Sequence, residues 1–206
     1  MTDEPEGILE AIRSSSAGEE AKDFCIRLMR DAIARKANGD FNMYAAMSSK
    51  AEGIPRISLY RNPTGEKYAF MQIIQTIGAI TGAHASGLVT EGWHLDVRHK
   101  TQEEMDELQA GFDRDGFSIS GHPEARECIF VTVETDDETL VATVSLPLSE
   151  GRTIMIESSM DEGSGMEGAM TGLRPPPQMR VRALMGNISE ARKVISELEI
   201  PWMTIN

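Results

Sequence analysis

The sequence predicts an α+β fold, a single mixed and mainly antiparallel sheet packed by amino-terminal, central and carboxyl-terminal helices. Three observations predict it. Apolar residues alternate with period two from Glu127 to Thr135 and again from Leu140 to Leu146, the pattern of strands with one buried face. Apolar residues recur at helical spacing in 21–33, 70–80 and 191–198, the pattern of helices laid on a sheet. The chain has 206 residues with 40% hydrophobic content. A domain of that size buries roughly 70% of its unfolded surface in one core, so one domain over 1–206 is expected, with a flexible loop at 158–178.

The hairpin is the most closely specified element. Ile129, Val131 and Val133 share one parity, and Leu140, Ala142, Val144 and Leu146 share another. A two-residue turn at Asp137 and Glu138 pairs Val133 with Ala142, Val131 with Val144 and Ile129 with Leu146. A slip of one residue would set the apolar row against Val141, Thr143 and Ser145, so the buried face selects the parity. Asp-Glu lacks the glycine that favours a tight type I′ turn, so a longer loop of the same parity is also allowed. Pro147 marks where the second strand stops pairing.

Charge and composition narrow the function classes. Twenty basic and 33 acidic side chains give a net charge of −13, which repels phosphate backbones and argues against sequence-independent nucleic-acid binding. Aromatic residues are 5% of the chain while methionines number 13, so flexible thioethers fill much of the core. Cys25 and Cys128 are too few for a disulfide framework or a metal knuckle and read as small buried hydrophobes. The start, Met1 to Gly7, is acidic and lacks the basic and apolar regions of a signal peptide, and no apolar run approaches the roughly 20 residues of a membrane span. The expected compartment is a reducing cytoplasm, with no membrane and no nucleic acid among the partners.

In chain order, Pro5 to Ile12 suits a short helix with Ile8, Leu9 and Ile12 on one stripe. Ser16 and Glu19 have capping-box spacing for a helix carrying Ala21, Phe24, Cys25, Leu28, Met29, Ala32 and Ile33, closed by Asn38-Gly39. Its mixed charges, Asp31 and Arg35 included, read as a solvated face. Met43, Ala45, Ala46 and Met47 suggest a short helix or a packed loop, and Ile57 to Tyr60 a short strand. Asn62-Pro63-Thr64-Gly65 is a turn. Phe70, Ile73, Ile74, Ile77 and Ile80 then form a helix stopped at Gly82.

The next strand breaks its own pattern. Val89, Glu91, Trp93, Leu95 and Val97 share a parity, which places a carboxylate in an apolar row. Either Glu91 is buried with a partner, or a bulge at Gly92 turns it toward His94 and Asp96. The bulge is the favoured reading because an unpaired buried carboxylate is costly. Thr101 and Glu104 cap a short helix with Met105 and Leu108 inward. Phe112 to Pro123 reads as a polar loop whose Asp113-Arg114-Asp115-Gly116 is a turn too short for a calcium loop. Arg152 to Glu157 adds a strand, and 158–172 is Gly-, Met- and acid-rich. Pro175 to Pro177 favour polyproline II, Met179, Val181 and Ala183 a strand, and Asn187 and Glu190 the cap of a last helix followed by Pro201.

Chemistry, if present, gathers at one end of the sheet. Under the bulge reading Glu91, His94 and Asp96 line one face, and His122 and Arg126 approach as the chain enters the 127–135 strand. Such a set could hold a divalent ion or run acid–base chemistry. The alternative is that His122 and Arg126 tie down a loop while His94 and Asp96 face water. No phosphate loop, dinucleotide fingerprint, zincin helix, Cys-x-x-Cys or nucleophile elbow is present. No catalytic, cofactor or metal residue is therefore assigned. Glu91, His94, Asp96, His122 and Arg126 stand as candidates only.

Gly87-Leu88-Val89-Thr90-Glu91-Gly92-Trp93, followed by His122-Pro123-Glu124-Ala125-Arg126-Glu127 and the Val-Thr-Val strand, resembles a pattern in small uncharacterised bacterial and phage proteins and covers about a third of the chain. The resemblance implies no activity and transfers no site. The expected function is a non-enzymatic accessory or interaction protein, self-associating through a sheet edge or its methionine-rich carboxyl-terminal third, or binding a protein partner. The competing expectation is a small metal-dependent hydrolase using the His/Asp/Glu cluster.

Overall fold

The computed structural model describes residues 6–51, 54–97, 99–115, 119–146, 154–159, 172–175, 193 and 195–203. Within them the elements are α1 (Glu6–Ser14), α2 (Glu19–Ala37), β1 (Tyr44–Ala51), β2 (Ile54–Arg61), α3 (Lys67–Thr81), β3 (Ala85–His94), α4 (Gln102–Asp115), a 3₁₀ turn (Ile119–Gly121), β4 (Arg126–Glu134), β5 (Thr139–Ser145), β6 (Ile154–Ser159) and β7 (Glu199–Ile200). The strands form one seven-stranded sheet in the order β6-β5-β4-β3-β1-β2-β7. Every neighbouring pair is antiparallel, so the fold is α+β as the alternation predicts. Because β1 lies between β2 and β3, α3 connects two parallel strands across it.

Both faces of the sheet are covered. On one, α1 and α2 bury Ile8, Ile12, Phe24, Leu28 and Met29 against Tyr44, Ala46, Val89, Ile129, Val131 and Val133. On the other, Phe70, Ile74 and Ile77 of α3 pack on Ala45, Met47 and Leu88, with Ile195 and Leu198 at the margin. Gly87 lets α2 sit close, since a methyl group there would lie 2.5 Å from Leu28 Cδ1.

This double coverage explains why Tyr44 to Met47, just after Met43, form neither a helix nor a loop but the start of a central strand. Tyr44, Ala45, Ala46 and Met47 are all buried, alternating between the two cores, and a strand buried on both faces shows no polar–apolar alternation. The α2 charges also depart from expectation. Asp31 and Arg35 are 1% and 5% exposed and form an i,i+4 ion pair inside the protein, with Arg35 Nε donating to Asp31 Oδ2 at 2.7 Å.

The hairpin keeps its predicted faces but not its pairs. Val133 faces Leu140, Val131 faces Ala142 and Ile129 faces Val144, a shift of two residues that conserves parity. The loop is Thr135 to Glu138, closed by the Thr135 N–H donating to Glu138 O at 2.9 Å and by Thr135 Oγ1 accepting the Asp137 and Glu138 N–H groups. A four-residue loop of non-glycine residues avoids the positive φ that Asp-Glu would need in a two-residue turn.

Helix ends follow their local chemistry in part. Thr101 and Glu104 make the predicted capping box, with the Thr101 N–H and hydroxyl donating to Glu104 Oε2 at 2.6 and 2.9 Å. The helix it opens continues to Asp115, so the expected loop from Phe112 begins later. Gly82 closes α3 at φ 65°, and Asn62 Oδ1 accepts the Thr64 and Gly65 N–H groups in the predicted turn. The Ser16 capping box does not cap α2. Gly18 is the N-cap, and its N–H donates 2.7 Å to Glu138 Oε1 from the hairpin loop, a carboxylate well placed for the helix dipole.

Residues 193 and 195–198 are helical, in agreement with the last predicted helix. Pro147, Pro176, Pro177, the 179–183 strand and the Asn187 and Glu190 cap lie outside the described residues. Of the segment 158–178, the described residues are the end of β6 at Ser159 and Gly172 to Pro175, where Leu173 is wholly buried. Among the described residues no helix is long and apolar enough to cross a membrane.

Candidate functional site

The geometry of the predicted cluster is decided by β3. Its pairing with β4 is unbroken from Ser86–Glu134 to His94–Arg126, so there is no bulge at Gly92. The glycine instead makes room for a ring, because a Cβ there would stand 3.0 Å from Phe130 Cε2. Without a bulge, Glu91 and His94 are three residues apart on one strand and point to opposite faces. Glu91 lies on the α2 side. His94 shares the other side with its partner Arg126.

Glu91 follows the reading that the bulge was invoked to avoid. It is a half-buried carboxylate with a partner, Lys36 at the carboxyl-terminal end of α2, whose Nζ lies 2.5 Å from Glu91 Oε1 and 3.6 Å from Glu127 Oε1. The hydrogen bond to Glu91 holds the Lys36 ammonium above its ordinary range. The pair fastens the end of α2 to β3 and β4, and a cation at that helix end is also favoured by the dipole.

His122 belongs to the loop before β4. Its Nδ1 accepts the Glu124 N–H at 3.1 Å, its carbonyl accepts from Ala125 and its N–H donates to Ile119 O, while Glu124 pairs with Lys100 at 2.7 Å. Asp96 follows the end of β3, and His94, Asp96, His122 and Arg126 each engage a partner. Glu91 is thus separated from His94 by the sheet itself. Among the described residues no group of three or more His, Cys, Asp or Glu side chains is arranged to hold a metal ion. Cys25 is fully buried and burial pushes its thiol far above the ordinary range. Cys128 is buried beside Ser145, with burial pushing its thiol up.

Three polar constellations that the periodicity does not reveal are more fully built. Ser48, His84 and Glu20 converge, but Ser48 Oγ and Glu20 Oε1 both meet His84 Nε2, at 3.1 and 2.6 Å. In a hydrolytic relay the hydroxyl and the acid sit on opposite ring nitrogens, so this trio joins β1, the residue before β3 and α2 and is not a triad. Asp31 and Arg35 form the second. Asp31 Oδ1 accepts the Met203 N–H at 2.6 Å, Arg35 Nη2 donates to Pro201 O at 2.5 Å, and the guanidinium lies 5.1 Å from the centre of the Tyr44 ring. This pins the segment after β7 to α2.

The third is Glu134, 5% exposed at the end of β4. Its carboxylate accepts the backbone N–H groups of Gly172, Leu173 and Arg174 at 2.5, 2.7 and 3.0 Å. Burial pushes its carboxyl up, against the downward pull of those N–H groups and of Arg174. Arg174 donates to Ala83 O at 3.0 Å and pairs with Asp136. Sequence reasoning misses Glu134 because it reads the Phe130, Thr132 and Glu134 row as a solvent face, whereas Thr132 and Glu134 are buried. No local signal pairs Glu134 with Gly172 to Arg174, because the partners lie 38 or more positions apart.

Comparison of the chain with protein-family models, with curated proteins and with solved structures finds no match in any of the three.

Proposed function

We propose that this chain is a non-enzymatic interaction protein that self-associates by adding the β6 edge of one copy to that of another. The observation that carries the reading is the position of Ile154–Ser159 at the end of the strand order, paired with β5 on one side and with no other strand among the described residues. A free strand edge offers a row of N–H and C=O groups to a second chain, and two such edges related by a twofold axis pair antiparallel and close the assembly. The polar constellations support the same reading, since each described one joins elements of the fold. An origin in a bacterium or phage is part of the proposal and rests on the Gly87–Trp93 and His122–Glu127 pattern.

Light scattering after size exclusion tests it, with a dimer expected. Backbone N–H groups alternate sides along a strand, so of single prolines at Met155 and Ile156, one removes an outward N–H and leaves the β5 ladder intact. That variant is expected to be folded and monomeric. A strictly monomeric wild type at tens of micromolar refutes the proposal.

A further inference from the structure

Gly172 to Pro175 is held residue by residue. Gly172, at φ 80°, takes a backbone conformation that side chains disfavour, and its carbonyl accepts from Gln75 Nε2 at 2.6 Å. Leu173 is wholly buried in the core formed by Phe70, Ile74, Ile77 and Leu88. Arg174 is held through Ala83 O and Asp136, while Glu134 takes the three N–H groups described above. Pro175 lies against Gly78, where a Cβ would come within 3.2 Å of its ring. These partners lie between 38 and 103 positions away in sequence. The seat is therefore built, among the described residues, from 70–136 and does not depend on the neighbours of the segment it holds.

We infer that this seat is a peptide-recognition site for a Gly-Leu-Arg-Pro segment, and that its occupant in the assembled protein is the same segment of a second copy, exchanged for the one bound within the chain. The identity of the occupant rests on the self-association proposed above; the seat does not. Ser159, Thr139 and Glu134 lie in one row across the sheet, so the seat carboxylate is two strand spacings, about 10 Å, from the β6 edge. If two β6 edges pair antiparallel about a central twofold axis, the partner's β6 end lies roughly 20 Å from this Glu134. Residues 160–171 separate Ser159 from Gly172, a stretch that spans up to roughly 40 Å when extended. The partner's segment thus reaches the seat about as readily as the chain's own, and linkage through the edge supplies the high effective concentration that exchange requires.

The probe is a fluorescein-labelled peptide of residues 170–177. Full-length Leu173→Asp, whose own segment cannot fill the seat, is expected to bind it, and Leu173→Asp with Glu134→Lys to bind at least tenfold more weakly; absence of binding, or equal binding by both, overturns the seat. Should Leu173→Asp not fold, excess peptide added to the wild type is expected to strip hydrogen-exchange protection from the Gly172, Leu173 and Arg174 amides of the protein, and unchanged protection overturns it. For the occupant, isotope-labelled Glu134→Lys loses that protection alone and regains it when mixed with unlabelled Leu173→Asp. No recovery overturns the exchange, and peptide binding that persists in the monomeric β6 proline variant separates that failure from failure of edge pairing.

Discussion

Replacing Glu134 with glutamine changes one atom and tests what holds Gly172 to Arg174 in place. The carboxylate satisfies three N–H donors, whereas an amide keeps one acceptor oxygen and turns an NH₂ group toward the donors the other oxygen served. At least one of the three N–H groups is left without its acceptor, at about 1–3 kcal/mol for a buried one, and the attraction to Arg174 is lost. Against this, the variant is freed of burying a charged group. The expected net loss at pH 7 is about 2 kcal/mol, read by urea denaturation. Hydrogen exchange at the three amides should accelerate by more than the global loss accounts for. The pH dependence follows from the raised carboxyl. A group whose native pKa lies above its unfolded value contributes stability in full below the unfolded value, about pH 4.3, and loses it as pH rises through the native one. The wild-type advantage over Glu134→Gln should therefore be larger at pH 4 than at pH 7. Unchanged protection of the three amides, with a stability loss under about 0.5 kcal/mol, would refute the reasoning.

Two further changes probe the packing of α2. Gly87→Ala places a methyl group 2.5 Å from Leu28 Cδ1 and 3.4 Å from Phe24 Cζ, and the overpacking should outweigh the usual gain of alanine over glycine in a strand, for a net loss of about 1–2 kcal/mol by denaturant titration; pairing it with Leu28→Ala should recover part of it. Asp31→Ala removes the nearer counter-charge of the buried Arg35 guanidinium, leaving Asp40 at 3.6 Å, and releases the Met203 N–H, so a loss of about 3 kcal/mol is expected, with faster exchange at the Met203 amide as the local readout.

What could be read from the chain and what could not divide along one physical line. Period-two and period-3.6 patterns report a face that meets water, so the β4–β5 hairpin, α2 and α3 were legible, as were the stops at Asn38-Gly39 and Gly82 and the Thr101 cap, which are set by residues within a turn of each other. The alternation also fixed which hairpin residues share a face, because parity survives a shift of two; the loop length that sets the pairs did not follow from it. β1 was illegible because helices cover it on both sides, and the Asp31–Arg35 pair because a buried ion pair at i,i+4 has the same spacing as a solvated one.

The candidate cluster turned on a single backbone detail. One extra residue in β3 would have put Glu91 beside His94; an unbroken ladder puts the sheet between them and gives Glu91 to Lys36. Glu134 with Gly172–Arg174 and Glu138 with Gly18 join residues 38 or more apart, and no local preference specifies such partners. The order of residues by itself determined which segments become helices or strands wherever one side meets solvent. Only the tertiary structure decided which buried charges meet, because that depends on how the sheet brings distant segments together.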